Sequence, residues 1–261
     1  MRVLLVLLMV VVCQTGAEQG HAAGKVGVVL MHGKAGTSLP KSPIGQLTAS
    51  LQRAGFLVTA PNMPWARNRY LAKDYEASME EIDAAVARLK ERGATKTVVG
   101  GHSMGGNAAL GYGARRDGIA GIMVLAPGHT PSRQGYQNSL ALDYKRAQKM
   151  VDEGKGKAFA KFRDNDQGKK RQKRFRADIY LSWFGKEGPA SMPENARNLR
   201  PGTALLWVVG KKDHRMYQAG ESFAFAHAPA HPKSRYLEVG GGHRQTPVIA
   251  TKQIIKWLRG I

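Results

Sequence analysis

Six consecutive residues, Gly101-His102-Ser103-Met104-Gly105-Gly106, surround a hydroxyl nucleophile with the small neighbours that such a nucleophile needs. A serine that attacks a carbonyl carbon must project its hydroxyl from a tight strand-to-helix turn, in strained backbone geometry. Side chains two residues to either side would collide there, and Gly101 and Gly105 leave the room. The apolar run Thr97–Gly100 lies directly before the hexapeptide, and the helical run Asn107–Arg115 directly after it. A helix starting at that point aims its free N–H groups and the positive end of its dipole at the oxyanion produced by the attack. The bare spacing Gly-x-Ser-x-Gly also occurs in plain turns. The strand before it and the helix after it make Ser103 a candidate nucleophile.

The elements that must position this serine can be read from the remaining pattern. Val26–Met31, Phe56–Ala60, Thr97–Gly100, Ile119–Ala126, Leu205–Val209 and Arg235–Val239 are short runs rich in Val, Leu and Ile with little alternation. Strands buried on both faces read this way. Asp74–Arg92 is the clearest helix, with Met79, Ile82, Ala85, Val86 and Leu89 on one face and Gly93 as its stop. Further helices are expected near Pro43, Gly105, Ser191, Met216 and Thr246. Strand alternating with helix predicts a mostly parallel sheet of about six strands flanked by helices.

One interval breaks this rhythm. Residues 128–200 separate the fourth and fifth of these strands, too long a stretch to be a structureless loop in a compact domain. The expectation is a helical, basic lid inserted before the penultimate strand. It holds Lys169-Lys170-Arg171-Gln172-Lys173-Arg174-Phe175-Arg176, the densest basic run in the chain. This run reads either as a solvated helix face or as a lid turned towards an anionic substrate or membrane surface. With Phe175 as its one aromatic it lacks the interleaved stacking residues of a nucleic-acid arm, so nucleic acid is not an expected partner.

Composition narrows the class further. The chain has 261 residues, enough for one sizeable core, and a formal net charge of +21, which favours anionic surfaces. Met1-Arg2, the apolar run Val3–Cys13 and the small, polar stretch Gln14–Gly24 have the order of a secretory signal peptide. The expected organisation is therefore a signal at 1–23 and one domain at 24–261, exported to a periplasm or secreted. The apolar run is short for a bilayer core of about 30 Å, so no transmembrane anchor is expected. Cys13 is the sole cysteine and falls in the leader, which leaves the mature chain without a thiolate nucleophile. No carboxylate array or phosphate-binding glycine loop is present, so neither a metal nor a cofactor is expected.

From about Val26 to the C-terminus, apart from the lid, the sequence resembles the α/β-hydrolase family, in particular bacterial esterase and lipase-like members with a Gly-His-Ser-Met-Gly elbow. The resemblance implies an acid and then a histidine after the serine, each on a loop at the carboxyl end of a strand. Asp213 in Gly210-Lys211-Lys212-Asp213-His214 stands where the family carries its acid. His243, after Gly240-Gly241-Gly242, stands where it carries its base. His32-Gly33-Lys34 resembles the family's oxyanion loop, which implies backbone N–H donors at Lys34 and at Met104, the residue after the nucleophile.

The activity implied is attack of Ser103 on a small-molecule carboxylic ester, or a thioester or amide, through an acyl-enzyme, with His243 as base and Asp213 as its support. A lid so basic, with only scattered aromatics such as Tyr136, Phe159, Tyr180, Trp183 and Phe184, argues against a pocket for long acyl chains. A non-catalytic member of the fold that binds an anionic ligand or envelope surface is the alternative.

Overall fold

Six apolar runs fold into one parallel sheet: β1 (Val26–Met31), β2 (Leu57–Thr59), β3 (Lys96–Ser103), β4 (Gly121–Pro127), β7 (Ala204–Gly210) and β8 (Arg235–Val239). The computed structural model describes residues 25–166 and 168–261, so the expected leader lies outside the described residues. The strand order is β2-β1-β3-β4-β7-β8. β1 therefore has β2 on one side and β3 on the other, and the chain reverses its direction of winding there. Crevices at the carboxyl ends of strands open at such a switch point, and both the 32–36 loop and Ser103 lie at that end.

Successive residues of a strand point to opposite faces, and here both faces are apolar. Val29, Met31, Val99, Val124 and Trp207 face one core layer with α2 (Tyr75–Glu91) and α3 (Met104–Gly113). Val28, Leu30, Val98, Leu125 and Val208 face the other, against α1 (Pro43–Arg53), α9 (Thr246–Ile249) and α10 (Thr251–Gly260). α2 starts at Asp74, whose carboxylate accepts from the Ala77 N–H at 2.8 Å, one of the free donors of a first helical turn. α3 is buried at all ten positions. Its small residues permit this: a Cβ on Gly111 would lie 1.9 Å from the Tyr75 hydroxyl.

The insertion between β4 and β7 carries helices, as expected, and a hairpin that was not expected. It contains α4 (Gln134–Asn138), α5 (Ala141–Asp152), an antiparallel hairpin of β5 (Phe159–Asp166) and β6 (Lys169–Arg176), then α6 (Ala177–Phe184) and α7 (Met192–Arg197). The basic run is a strand, not a helix face. It pairs residue for residue with Phe159–Asp166, and Gly168 turns the chain at φ 84°. Two strands alone are marginal in water. This pair is anchored by buried Phe162 and Phe175, with Phe162 stacked on Tyr180 at 4.6 Å and Tyr180 on Phe184 at 4.5 Å. The lid aromatics thus turn inward to hold the hairpin, and Phe159, 61% exposed, is the exception. The remaining helix, α8 (His214–Ala219), follows β7. Among the described residues no helix is long and apolar enough to cross a membrane.

Candidate active site

Strand β3 runs on to Ser103 itself, and its register against β4 shifts between His102 and Ser103. Ser103 has φ 57° and ψ −118°, a conformation that costs a non-glycine residue about 1–3 kcal/mol and persists only where the surroundings impose it. They do so by close approach. A Cβ on Gly101 would sit 2.5 Å from the Gly105 carbonyl carbon, and a Cβ on Gly105 would sit 2.6 Å from the His32 carbonyl oxygen. The Met104 amide is the first of α3 and, like other first-turn donors, has no intrahelical acceptor.

The loops after β7 and β8 bring Asp213 and His243 together. His243 Nδ1 donates to Asp213 Oδ2 at 2.6 Å, with both side chains nearly buried. Backbone bonds hold the two loops to each other: the Lys211 N–H donates to the Val239 carbonyl at 2.8 Å and the Lys212 N–H to the Gly241 carbonyl at 2.9 Å. With Nδ1 protonated and bonded to the carboxylate, Nε2 of a neutral imidazole carries the free lone pair. That Nε2 is buried and has no hydrogen-bond partner among the described residues.

His102 ties the histidine loop to the elbow. Its Nε2–H donates to the His243 carbonyl at 2.9 Å, and the two rings lie 4.8 Å apart. Burial first, and then the neighbouring His243, push its pKa down to about 3, so it is neutral near pH 7. Nothing in the sequence marked it, because it flanks the nucleophile and its partner is a backbone atom 141 residues on.

Gly128 is the second group that sequence reasoning missed. A Cβ there would lie 2.3 Å from the Ser103 hydroxyl oxygen, so a glycine is required beside the nucleophile. The next residue, His129, is buried with φ 59° and locks this turn. Its Nε2–H donates to the Trp183 carbonyl at 2.7 Å, and its carbonyl accepts from Asn107 Nδ2 at 2.8 Å. Burial, and then the Lys34 charge, lower the His129 pKa to about 3.

The 32–36 loop packs directly on the elbow, since a Cβ on Gly33 would lie 3.0 Å from Ser103 Cβ. The Gly33 carbonyl accepts from His32 Nδ1 at 2.9 Å and from the Gly36 N–H at 3.0 Å. A trans peptide points its N–H opposite its carbonyl, so the Lys34 N–H is turned away from those two bonds. It has no acceptor among the described residues. The Lys34 side chain does not stand as a free cation in the pocket. Its ammonium is buried in the insertion, 2.6 Å from Asp164 Oδ1 and 5.3 Å from the centre of the Phe184 ring.

The structure sets Ser103 on a strained turn, packs the 32–36 loop against it, and ties the carboxylate-bound imidazole of His243 to the neighbouring His102, with His243 Nε2 not bonded to the Ser103 hydroxyl. Such an arrangement can deprotonate a hydroxyl and accept negative charge on a carbonyl oxygen. Among the described residues no group of three or more His, Cys, Asp or Glu side chains is placed to hold a metal ion.

A sequence model of the family described as serine aminopeptidase, S33, matches residues 23–245. No curated protein matches by sequence. Among solved structures, one from a study of LipS and LipT, two metagenome-derived lipolytic enzymes, superposes with a TM-score of 0.64 at 16% identity, covering 91% of this chain and 95% of that one. A monoacylglycerol lipase of Paleococcus ferrophilus gives 0.63 at 20% identity, with 91% and 96% covered. A thermostable carboxyl esterase of Bacillus coagulans gives 0.63 at 15% identity, with 92% and 91% covered. At these identities the likeness is one of fold.

Proposed function

The chain belongs to the α/β-hydrolase family described as serine aminopeptidase, S33, and on that premise we propose that it is an exported serine hydrolase that cleaves a small carboxylic ester, thioester or amide. The observation that carries this reading is the 2.6 Å bond from His243 to Asp213 beside the strained turn of Ser103. His243 Nε2 takes the Ser103 proton as the oxygen attacks the carbonyl carbon. Asp213 holds the imidazole in that tautomer and stabilises its charged form. The Lys34 and Met104 amides receive the oxyanion, and a single such donor contributes about 2.7–4 kcal/mol in the transition state. Collapse of the tetrahedral intermediate expels the alcohol, thiol or amine, which takes its proton from His243. Water then repeats the sequence on the acyl-enzyme and regenerates Ser103.

Export rests on the leader at residues 1–23, with the hydrolase domain at 24–261. The exposed side chains of β6 add a contact with anionic surfaces. Lys169, Lys170, Arg171, Lys173 and Arg174 all face solvent, and a groove of about 530 Å³ beside them is lined by Arg67, Arg69 and Arg176 as well.

The test is turnover by the mature protein, from Lys25 on, of nitrophenyl esters from acetyl to palmitoyl, with Ser103→Ala as control. Loss of turnover in that variant supports the serine mechanism, and the optimal chain length sizes the pocket. No turnover, together with no labelling of Ser103 by a fluorophosphonate, would sink it in favour of a non-catalytic binding protein.

A further inference from the structure

Lys34 supplies a candidate oxyanion donor with its backbone, and its side chain leaves the site altogether. The ammonium reaches the insertion hairpin 130 residues away and bonds Asp164 Oδ1 at 2.6 Å and the Asn165 carbonyl at 3.2 Å. The two side chains are 5% and 3% exposed, so this is not a solvated surface pair. The other Asp164 oxygen accepts from the Tyr70 hydroxyl. Burial, the largest single influence, would raise the Asp164 pKa, but the Lys34 ammonium together with the Tyr70 hydroxyl holds the carboxyl below its ordinary range.

The hairpin is itself firmly docked. Phe162 is stacked on Tyr180, the Tyr180 hydroxyl donates to the Arg163 carbonyl at 2.9 Å, and Asn165 Nδ2 donates to Ser139 Oγ at 2.9 Å. On the other side of the pair, the oxyanion loop carries strain at Ala35, where φ is 50°. Non-glycine residues keep such a conformation only when their neighbours over-determine it. Backbone bonds secure the loop at Gly33, Ala35 and Gly36. The two bonds to the Gly33 carbonyl orient the 33–34 peptide plane, and the Lys34 side chain adds a second hold on the far side of that plane, with Asp164 as its charged partner.

We propose that Asp164 is a positioning residue for the reaction, and that the insertion hairpin acts through the Asp164–Lys34 pair to hold the Lys34 amide where the oxyanion forms. The insertion is thus a part of the active-site scaffold in addition to any covering role. This inference rests on the serine-hydrolase reading for its kinetic consequence, and on geometry alone for its structural one.

Three readouts on the mature protein test it, comparing wild type, Asp164→Asn and the Lys34→Met/Asp164→Asn double variant. The first is kcat and KM on nitrophenyl butyrate, the second the rate of Ser103 labelling by a fluorophosphonate, the third amide hydrogen exchange over residues 33–36. In Asp164→Asn, kcat and the labelling rate should fall about ten- to a hundred-fold with KM little changed, because misplacing an oxyanion donor raises the barrier without weakening substrate binding. Exchange should rise at 33–36 and stay level across the sheet. The double variant leaves neither member of the pair as an unpaired buried charge, and it should lose no more than the single variant. It carries the test if Asp164→Asn does not fold. Wild-type kcat and wild-type exchange in these variants would overturn the proposal, as would a loss accompanied by faster exchange throughout the sheet. If wild type neither turns over ester nor labels at Ser103, the hydrolase reading fails instead, and local exchange at 33–36 still decides whether the latch exists.

Discussion

His102 and His129 are imidazoles held neutral by burial, each using its ring Nε2–H to fix a backbone turn at the candidate site. Both bind their proton more weakly in the folded protein than in the unfolded chain, where the ordinary value is 6.5. As the pH drops below about 6.5 the unfolded chain therefore takes up protons that the folded one does not, and stability is lost down to about pH 3. The steepest loss is about 1.4 kcal/mol per pH unit for each histidine. Urea melts at pH 7, 6, 5 and 4 should show a falling midpoint, and His129→Asn should flatten that fall. An unchanged slope in the variant would mean that His129 does not carry the effect. These residues also show where sequence reading stops. Ser103 could be named as a candidate from its flanking strand, helix and glycines, and Asp213 and His243 from the order that the family resemblance implies, whereas His102 and Gly128 act through distances to backbone and to the serine oxygen that no local pattern encodes.

At the scale of elements, the β3–α3 elbow depends on helix and strand approaching more closely than side chains permit. A Cβ on Gly105 would meet the His32 and Met31 carbonyl oxygens at 2.6 and 2.7 Å, backbone atoms with little freedom to retreat. Gly105→Ala should therefore destabilise the protein by about 1–3 kcal/mol, the usual cost of overpacking, and should lower ester turnover by shifting the Met104 amide. Chemical denaturation beside the ester assay checks both, and a variant with the parent's midpoint would show that α3 can slide. The sheet strands were legible to within a few residues, most directly β1, β4 and β7, because strands buried on both faces have few alternatives to a continuous apolar run. The basic run at 169–176 was not. A stretch of like charges has no intrinsic period to distinguish strand from helix, and its assignment as β6 depends on its pairing with β5 over buried Phe162 and Phe175.

On the scale of the whole molecule, the excess of 40 Lys and Arg over 19 Asp and Glu is presented most densely on β6. Binding to phosphatidylglycerol vesicles should weaken with added salt, since charges more than about 8 Å apart are screened at physiological ionic strength. Reversing Lys169, Lys170 and Arg171 to Glu should weaken it at least about ten-fold, given about 1 kcal/mol per basic residue near an anionic surface. Co-sedimentation at two salt concentrations measures this, and a triple variant that still binds like the parent would place the contact elsewhere. The sequence by itself determined the parallel sheet and the glycines around Ser103, since burial on both faces and a tight turn restrict residue types locally, while the candidate acid and base rested on the family resemblance. Only the tertiary structure decided that the insertion is a docked hairpin, that Lys34 turns its charge into Asp164, and that His102 clasps the histidine loop. The last two contacts join residues 130 and 141 positions apart, and such distances come into being only when the chain has closed on itself.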